Sequence, residues 1–288
     1  MTSANDWTAP KAASRLVKVV KSVSDALGTD RFPINVESVA LESAKIFGWS
    51  DPIAEVRAAA IGGFQGALVP NAGRSKWLLL YNDAMPSPGR VRFTQAHELG
   101  HYILHRIGRE QFQCGEDDVL SKPRGVDDIE SQADEFASYL LMPIDDFREQ
   151  VQGPIDLDSL SRCAKRYGVS ITAVILKWLQ FTDEKAVMAV SRDGFIKWSW
   201  STDAAFKSHA FIRTRLSPVE IANGTVAADD SVRVERVGKE IPAKLWFPSA
   251  PADQMLREMK VTMDSYEQTL SLLLIPKLAD YWPSRRPN

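Results

Sequence analysis

Phe93-Thr94-Gln95-Ala96-His97-Glu98-Leu99-Gly100-His101-Tyr102-Ile103-Leu104-His105 gathers three of the chain's four histidines into nine residues. Phe93, Ala96, Gly100 and Leu104 recur at helical spacing on one side, and Leu99, Ile103 and Ile107 cover much of another. A helix apolar on several sides belongs in a core. Imidazoles placed there must find partners, because burying an unpaired polar group is costly. His97 and His101 are four apart, so both rings project from one face, one turn apart. This is the H-E-x-x-H arrangement, in which two histidines bind zinc and the glutamate between them works on the metal-bound water. The competing reading is a pair of core histidines that are merely hydrogen-bonded, and the rest of the chain decides between the two.

A catalytic zinc takes three protein ligands and keeps one position open for water. Ile129, Ala133, Phe136, Ala137, Leu140 and Leu141 mark the buried stripe of a second helix, ending near Pro143. Glu130 lies at the edge of that stripe, where a carboxylate is expensive unless paired or bound to metal. Glu130 is therefore the expected third ligand. The alternative is that Asp127-x-x-Glu130 only starts the helix as a capping box. Asp134, one turn further, is placed to accept a hydrogen bond from the second nitrogen of a ligand histidine. His105 continues the face of His97 and His101 for another turn and is expected behind the ligands or in a structural role. Tyr102 and Tyr139 are candidates for stabilising an oxyanion, with nothing to choose between them. Gly100, together with Ala133 and Ala137, would let the two helices approach closely. His209 stands apart in the C-terminal third and is left out of the site.

The chain of 288 residues is long enough for two domains. Apolar residues make up 44% and charged residues 25%, ordinary for a protein with a real core. A net charge of -2 and a pI near 6.1 give no global attraction to nucleic acid or an anionic membrane. Met1 to Ala13 is polar and lacks an apolar h-region, and no apolar run approaches a membrane span. A cytoplasmic location is expected, with Cys114 and Cys163 as free thiols.

Helices are expected at 9–27, with Leu16, Val19, Val20, Val23 and Leu27 on one face, and at 36–47, closed by Gly48. Residues 58–70, with Gly62, Gly63 and Gly66 around Phe64, read as a glycine-interrupted edge strand, and Lys76 to Tyr81 as a buried strand. The polar stretch 108–128 reads as a loop or lid. Shorter helices follow at Leu157–Tyr167 and Ile171–Leu179, with Gly168 as C-cap and Ser170 as N-cap between them. From about 185 strands take over: Ala186–Val190 and Phe195–Trp200 flank the turn Arg192-Asp193-Gly194, a strand region begins at Val232 to Val237, and a hairpin is expected from Met259–Met263 and Thr269–Ile275. The expected class is α+β, with a metallopeptidase domain over 1–182, including a helical hairpin at 157–180, and a mainly antiparallel C-terminal module over 183–288.

The residues resemble the ImmA/IrrE family of bacterial zinc peptidases. The likeness rests on Arg92 to His105 as quoted and on Glu130-x-x-Ala133-Asp134-x-Phe136-Ala137-x-x-Leu140-Leu141-Met142-Pro143, with weaker agreement from about residue 10 to 180. It implies a gluzincin-like fold, helices beside a small sheet, with one zinc per chain. His97, His101 and Glu130 match the family's ligand positions and Glu98 its catalytic glutamate. It also implies site-specific cleavage of a helix-turn-helix repressor, controlling transcription or a stress response. No helix-turn-helix of that kind precedes the domain, so the repressor would be a separate protein chain. The same likeness implies a sensory or regulatory role for the C-terminal module, which in some members is GAF-like.

Two other readings stand beside the peptidase. Leu160 to Leu179 has Ala164, Gly168 and Val174 at helix-turn-helix offsets, and Lys165, Arg166 and Lys177 could meet phosphate in a DNA-binding regulator. Lys177, however, occupies a position such motifs usually bury with an apolar residue, and no direct nucleic acid contact or membrane contact is expected. The other is a zinc-dependent sensor without turnover. A peptide substrate could add to the Phe64–Val69 strand if that strand is a free edge.

Overall fold

A computed structural model of the protein describes residues 7–60, 63–85, 87–107, 112–115, 129–214 and 216–282. Gly62, Asp127 and the 108–128 stretch, apart from the backbone of 112–115, lie outside the described residues. The chain divides into two compact units, Met1–Gln150 with Cys163–Ser170, and Val151–Arg162 with Ile171–Asn288.

The first unit opens with helices α1, Ala9–Leu27, and α2, Val36–Phe47. Strands β1, Ile53–Ala58, β2, Phe64–Pro70, and β3, Trp77–Tyr81, lead to α3, Pro88–His105. Strand β4, Phe112–Gly115, and helices α4, Ile129–Leu141, and α5, Ile144–Gln150, follow. Proline at the start of α3 suits a first turn whose N–H groups have no helical partner. Asn35 caps α2 by accepting a bond from the Ser38 N–H at 3.0 Å.

The sheet order is β1-β3-β2-β4, with β1 and β3 parallel and the other pairs antiparallel. Strand β2 is therefore interior, paired with β3 on one side and β4 on the other. This corrects the expectation of an edge strand at Phe64–Val69, and with it the idea that a substrate could add there. The partner, β4, comes from the stretch that reads as a polar loop, where only four residues of weak pattern form it.

Helix α1 forms where its periodicity places it but buries a different face. Ala9, Ala12, Ala13, Leu16 and Val17 are buried, whereas Val19, Val23 and Leu27 are exposed. An alanine face allows a closer approach than a valine face, and it is α4 that α1 packs on. Helix α4 is thus shared between α1 and α3. At the α3–α4 crossing a β-carbon on Gly100 would stand 3.1 Å from Ala133 Cα and 3.1 Å from Phe136 Cδ1. Glycine costs a helix about 1 kcal/mol against alanine. Here the close contact offsets that cost.

Both ends of α3 are fixed. At the N-terminal end Arg92 donates to the Gly168 carbonyl at 2.5 Å, and Gly168, at φ +62°, has no side chain to obstruct the guanidinium. At the C-terminal end Arg106 lies 3.4 Å over the Trp49 ring and pairs with Asp51 at 3.0 Å. Tyr102 donates to the Asp51 carbonyl at 3.0 Å.

Helix α6, Leu157–Tyr167, gives its last turn to the first unit and its start to the second. The second unit continues with α7, Ile171–Phe181, strands β5, Lys185–Arg192, and β6, Phe195–Ser201, and helix α8, Asp203–Lys207. Strands β7, Val219–Glu220, β8, Val234–Pro242, β9, Met255–Met263, and β10, Gln268–Ile275, complete it. Its sheet has the order β7-β6-β5-β10-β9-β8 and is antiparallel throughout. Asp193 and Gly194, at φ +52° and +77°, make the β5–β6 turn as the Asp-Gly pair predicts. Buried Glu258 on β9 accepts bonds from the Val226 and Ala227 N–H groups and from Trp246 Nε1, at 2.8 to 3.0 Å. Burial raises its pKa, against the pull of those donors. Among the described residues no helix is long and apolar enough to cross a membrane.

The helix crossing is open to a direct test. Gly100→Leu overpacks the α3–α4 contact, and urea unfolding should show a loss of about 1–3 kcal/mol, despite leucine's better helix propensity.

Candidate metal centre

At about 100° per residue, the order around α3 runs Gly100, His97, His101, Glu98, Tyr102. Gly100 touches α4, and Tyr102 packs against Trp77 of β3 with ring centroids 6.2 Å apart. The two histidines fall between, in the groove that α3 forms with α4. Glu130, from the first turn of α4, reaches into the same groove.

The three expected ligands converge. His97 Nε2 and His101 Nε2 are 2.9 Å apart, and Glu130 Oε2 lies 3.2 Å from the first and 3.4 Å from the second. A tetrahedral ion held at about 2.0–2.1 Å, the usual zinc distance to such donors, needs donors roughly 3.4 Å apart. Two imidazoles and one carboxylate at these separations fit a small divalent ion, and three ligands leave a position open. The triangle is buried at His97 and His101 and half-buried at Glu130.

Behind each ring stands a second group that fixes its tautomer. His97 Nδ1 is 2.8 Å from Asp134 Oδ1, so the ring donates there and its Nε2 lone pair faces the centre. His101 Nδ1 is 3.1 Å from His105 Nδ1, and His105 Nε2 is 3.2 Å from Gln132 Oε1. An amide oxygen only accepts, so His105 donates from Nε2 and accepts at Nδ1. His101 must then donate from Nδ1, so its Nε2 lone pair faces the centre as well. One ligand histidine is backed by a carboxylate, the other by a neutral imidazole–amide chain. Asp134 and His105 stand where the periodicity of the two helices places them. Gln132 carried no sequence signal of its own, since its role depends on how α4 is rotated against α3.

The electrostatics favour metal binding at neutral pH. Burial pushes His101 down to about 4, assisted by the neighbouring charge of His97 and His105 and opposed by Glu130. Burial would raise Glu130, but its contacts with the His101 and His97 rings hold it far below the usual carboxylate range. A neutral imidazole and an ionised carboxylate are the forms that bind metal.

Residues 52–179 match the Peptidase M78 family model, described as an IrrE N-terminal-like domain. This stretch is similar to an M78 domain. The match spans β1 to α7 and includes both zinc-site helices. No curated protein matches the chain. The match indicates a metallopeptidase-type hydrolase domain that uses a metal, and among the described residues the His97–His101–Glu130 triangle is a group able to hold one.

Glu98 is fully buried on the sheet side of α3, next to the two histidines. Neither tyrosine is placed for an oxyanion. Tyr102 is fully buried with its hydroxyl committed to Asp51, and Tyr139 lies nine residues after Glu130, half a turn round α4 from it. Of the three cations proposed to meet DNA, Lys165 is exposed and the other two are engaged. Lys177 is buried, and Arg166 pairs with Asp146 at 2.6 Å.

Two expectations follow. Asp134→Ala should weaken metal affinity by roughly 10–100-fold in a chelator competition, and Gln132→Leu should weaken it in the same direction. Chelator-treated protein should melt at a constant temperature above pH about 6.5. Its melting temperature should fall as pH drops from there towards about 4, because over that window the unfolded chain protonates His101 while the fold resists it. Glu130 adds to the loss at the acid end, since its depressed pKa stabilises the fold only while the unfolded carboxylate is ionised.

Proposed function

We propose that the M78 domain is a zinc-dependent endopeptidase, held by His97, His101 and Glu130 around one zinc, with Glu98 as general base. The observation that carries the reading is the convergence of those three donor atoms within 3.4 Å, on helices that also bury Glu98 beside them. Zinc, when bound, would polarise a water and the substrate carbonyl, bringing the water's pKa to about 7.

The chain's own residues do the rest. Glu98 takes a proton from the attacking water on its carboxylate and passes it to the leaving amine. Asp134 and His105 hold the ligand rings in the tautomers that point Nε2 inwards. Burial of His97, His101 and Glu98 keeps these groups in surroundings of low polarity, which strengthens each of these interactions.

The substrate in this reading is a helix-turn-helix transcriptional repressor on a separate chain, cut in the cytoplasm as part of a transcriptional or stress response. Support for that choice is the likeness of the Arg92–His105 and Glu130–Pro143 segments to ImmA/IrrE proteins. The same reading keeps a gluzincin-like fold, a peptidase domain over 1–182 and a sensory or regulatory module over 183–288.

Purified protein should carry about one zinc per chain by metal analysis. Glu98→Gln should keep that zinc and lose cleavage by roughly 10²–10⁴-fold, the usual worth of a general base. Native protein without metal, under conditions that preserve zinc sites, would overturn the reading.

A further inference from the structure

We propose that Gly66 is the seat of the Glu98 carboxylate and sets the position of the proton-transferring group. The inference rests on reading Glu98 as the general base. A β-carbon at Gly66 would stand 2.6 Å from Glu98 Oε1 and 2.9 Å from Glu98 Cγ, with Thr94 Cγ2 at 2.7 Å. Thr94 and Glu98 are one turn apart on α3, so this face of the helix rests on the bare backbone of β2. All three separations are below what a real β-carbon tolerates.

Neither side of the contact can retreat. Strand β2 is interior, with Gly66 opposite Tyr81 of β3 and Cys114 of β4. Its pairing with β4 shifts register between Phe64 and Gly66, immediately before the residue that faces Glu98. Helix α3 is backed by α4 at Gly100, where a single β-carbon would already stand 3.1 Å from Ala133 Cα. A methyl group at 66 must therefore displace the Glu98 side chain.

The glycine is there for space and not for backbone conformation. Gly66 is not among the glycines at positive φ, so alanine can adopt its backbone without strain. Gly66 is thus a positioning residue, acting through Glu98, and it lies outside the helical motif that names the metal site.

The test compares full-length, zinc-loaded native protein with Gly66→Ala, Glu98→Gln, Glu98→Ala and the double variant Gly66→Ala/Glu98→Ala. Zinc content, melting temperature and cleavage of a quenched fluorogenic peptide pool are measured for each. Gly66→Ala should keep one zinc and lose kcat on the order of 10²-fold with KM little changed, as for a reacting group misplaced by about 1 Å. Its melting temperature should fall in the native background and fall less in the Glu98→Ala background, where the carboxylate is gone. Additive melting losses, or native kcat in Gly66→Ala, would overturn the inference. Full cleavage by Glu98→Gln, or no cleavage by native protein, would instead count against the peptidase reading, and the melting-temperature cycle would still decide the Gly66–Glu98 contact.

Discussion

The structure of the M78 domain depends on how tightly α3 is held between α4 and the sheet. Two glycines make the fit, Gly100 on the helix and Gly66 on the strand, and each leaves room for less than one methyl group. Overpacking costs about 1–3 kcal/mol, more than a glycine loses in helix propensity, so packing decides both positions. The result is a helix fixed in rotation as well as in place. Rotation matters most, because it determines that His97 and His101 meet Glu130 while Glu98 meets the strand.

Buried polar groups are the second constraint. Two imidazoles and two carboxylates sit in or beside a core of Ala96, Leu99, Ala133, Phe136 and Ala137. Left unpaired, each would cost roughly 1–3 kcal/mol. Hydrogen-bond chains to Asp134 and through His105 to Gln132 instead turn each ring towards a common point. The network that stabilises these groups is therefore also the one that prepares them to bind metal.

Much of this was legible in the sequence because a helix repeats every 3.6 residues. That period places His97, His101 and His105 on one face, Glu130 at the edge of a buried stripe and Asp134 one turn behind it. The Asp193-Gly194 turn was equally legible, since its backbone angles follow from local chemistry. What was not legible depends on neighbours distant in sequence. The face that α1 buries is set by its packing on α4, β2 becomes interior only when β4 pairs with it, and Tyr102 is withdrawn from the site by Asp51. Gln132 and Gly66 belong to the same class. One acquires its part from the rotation of a neighbouring helix and the other from the register of a sheet.

The unlike backing of the two ligand histidines has a consequence for charge balance. Glu130 and Asp134 bring two negative charges to the groove, whereas His105 and Gln132 bring none. A doubly charged cation then makes the ligands, their supports and the ion neutral as a set, which is the least costly state for an assembly buried among apolar side chains. A carboxylate in place of the His105–Gln132 chain would leave that set with a surplus negative charge beside Glu98. The neutral chain keeps the orientation that a carboxylate would give and spares Glu98 a further charged neighbour.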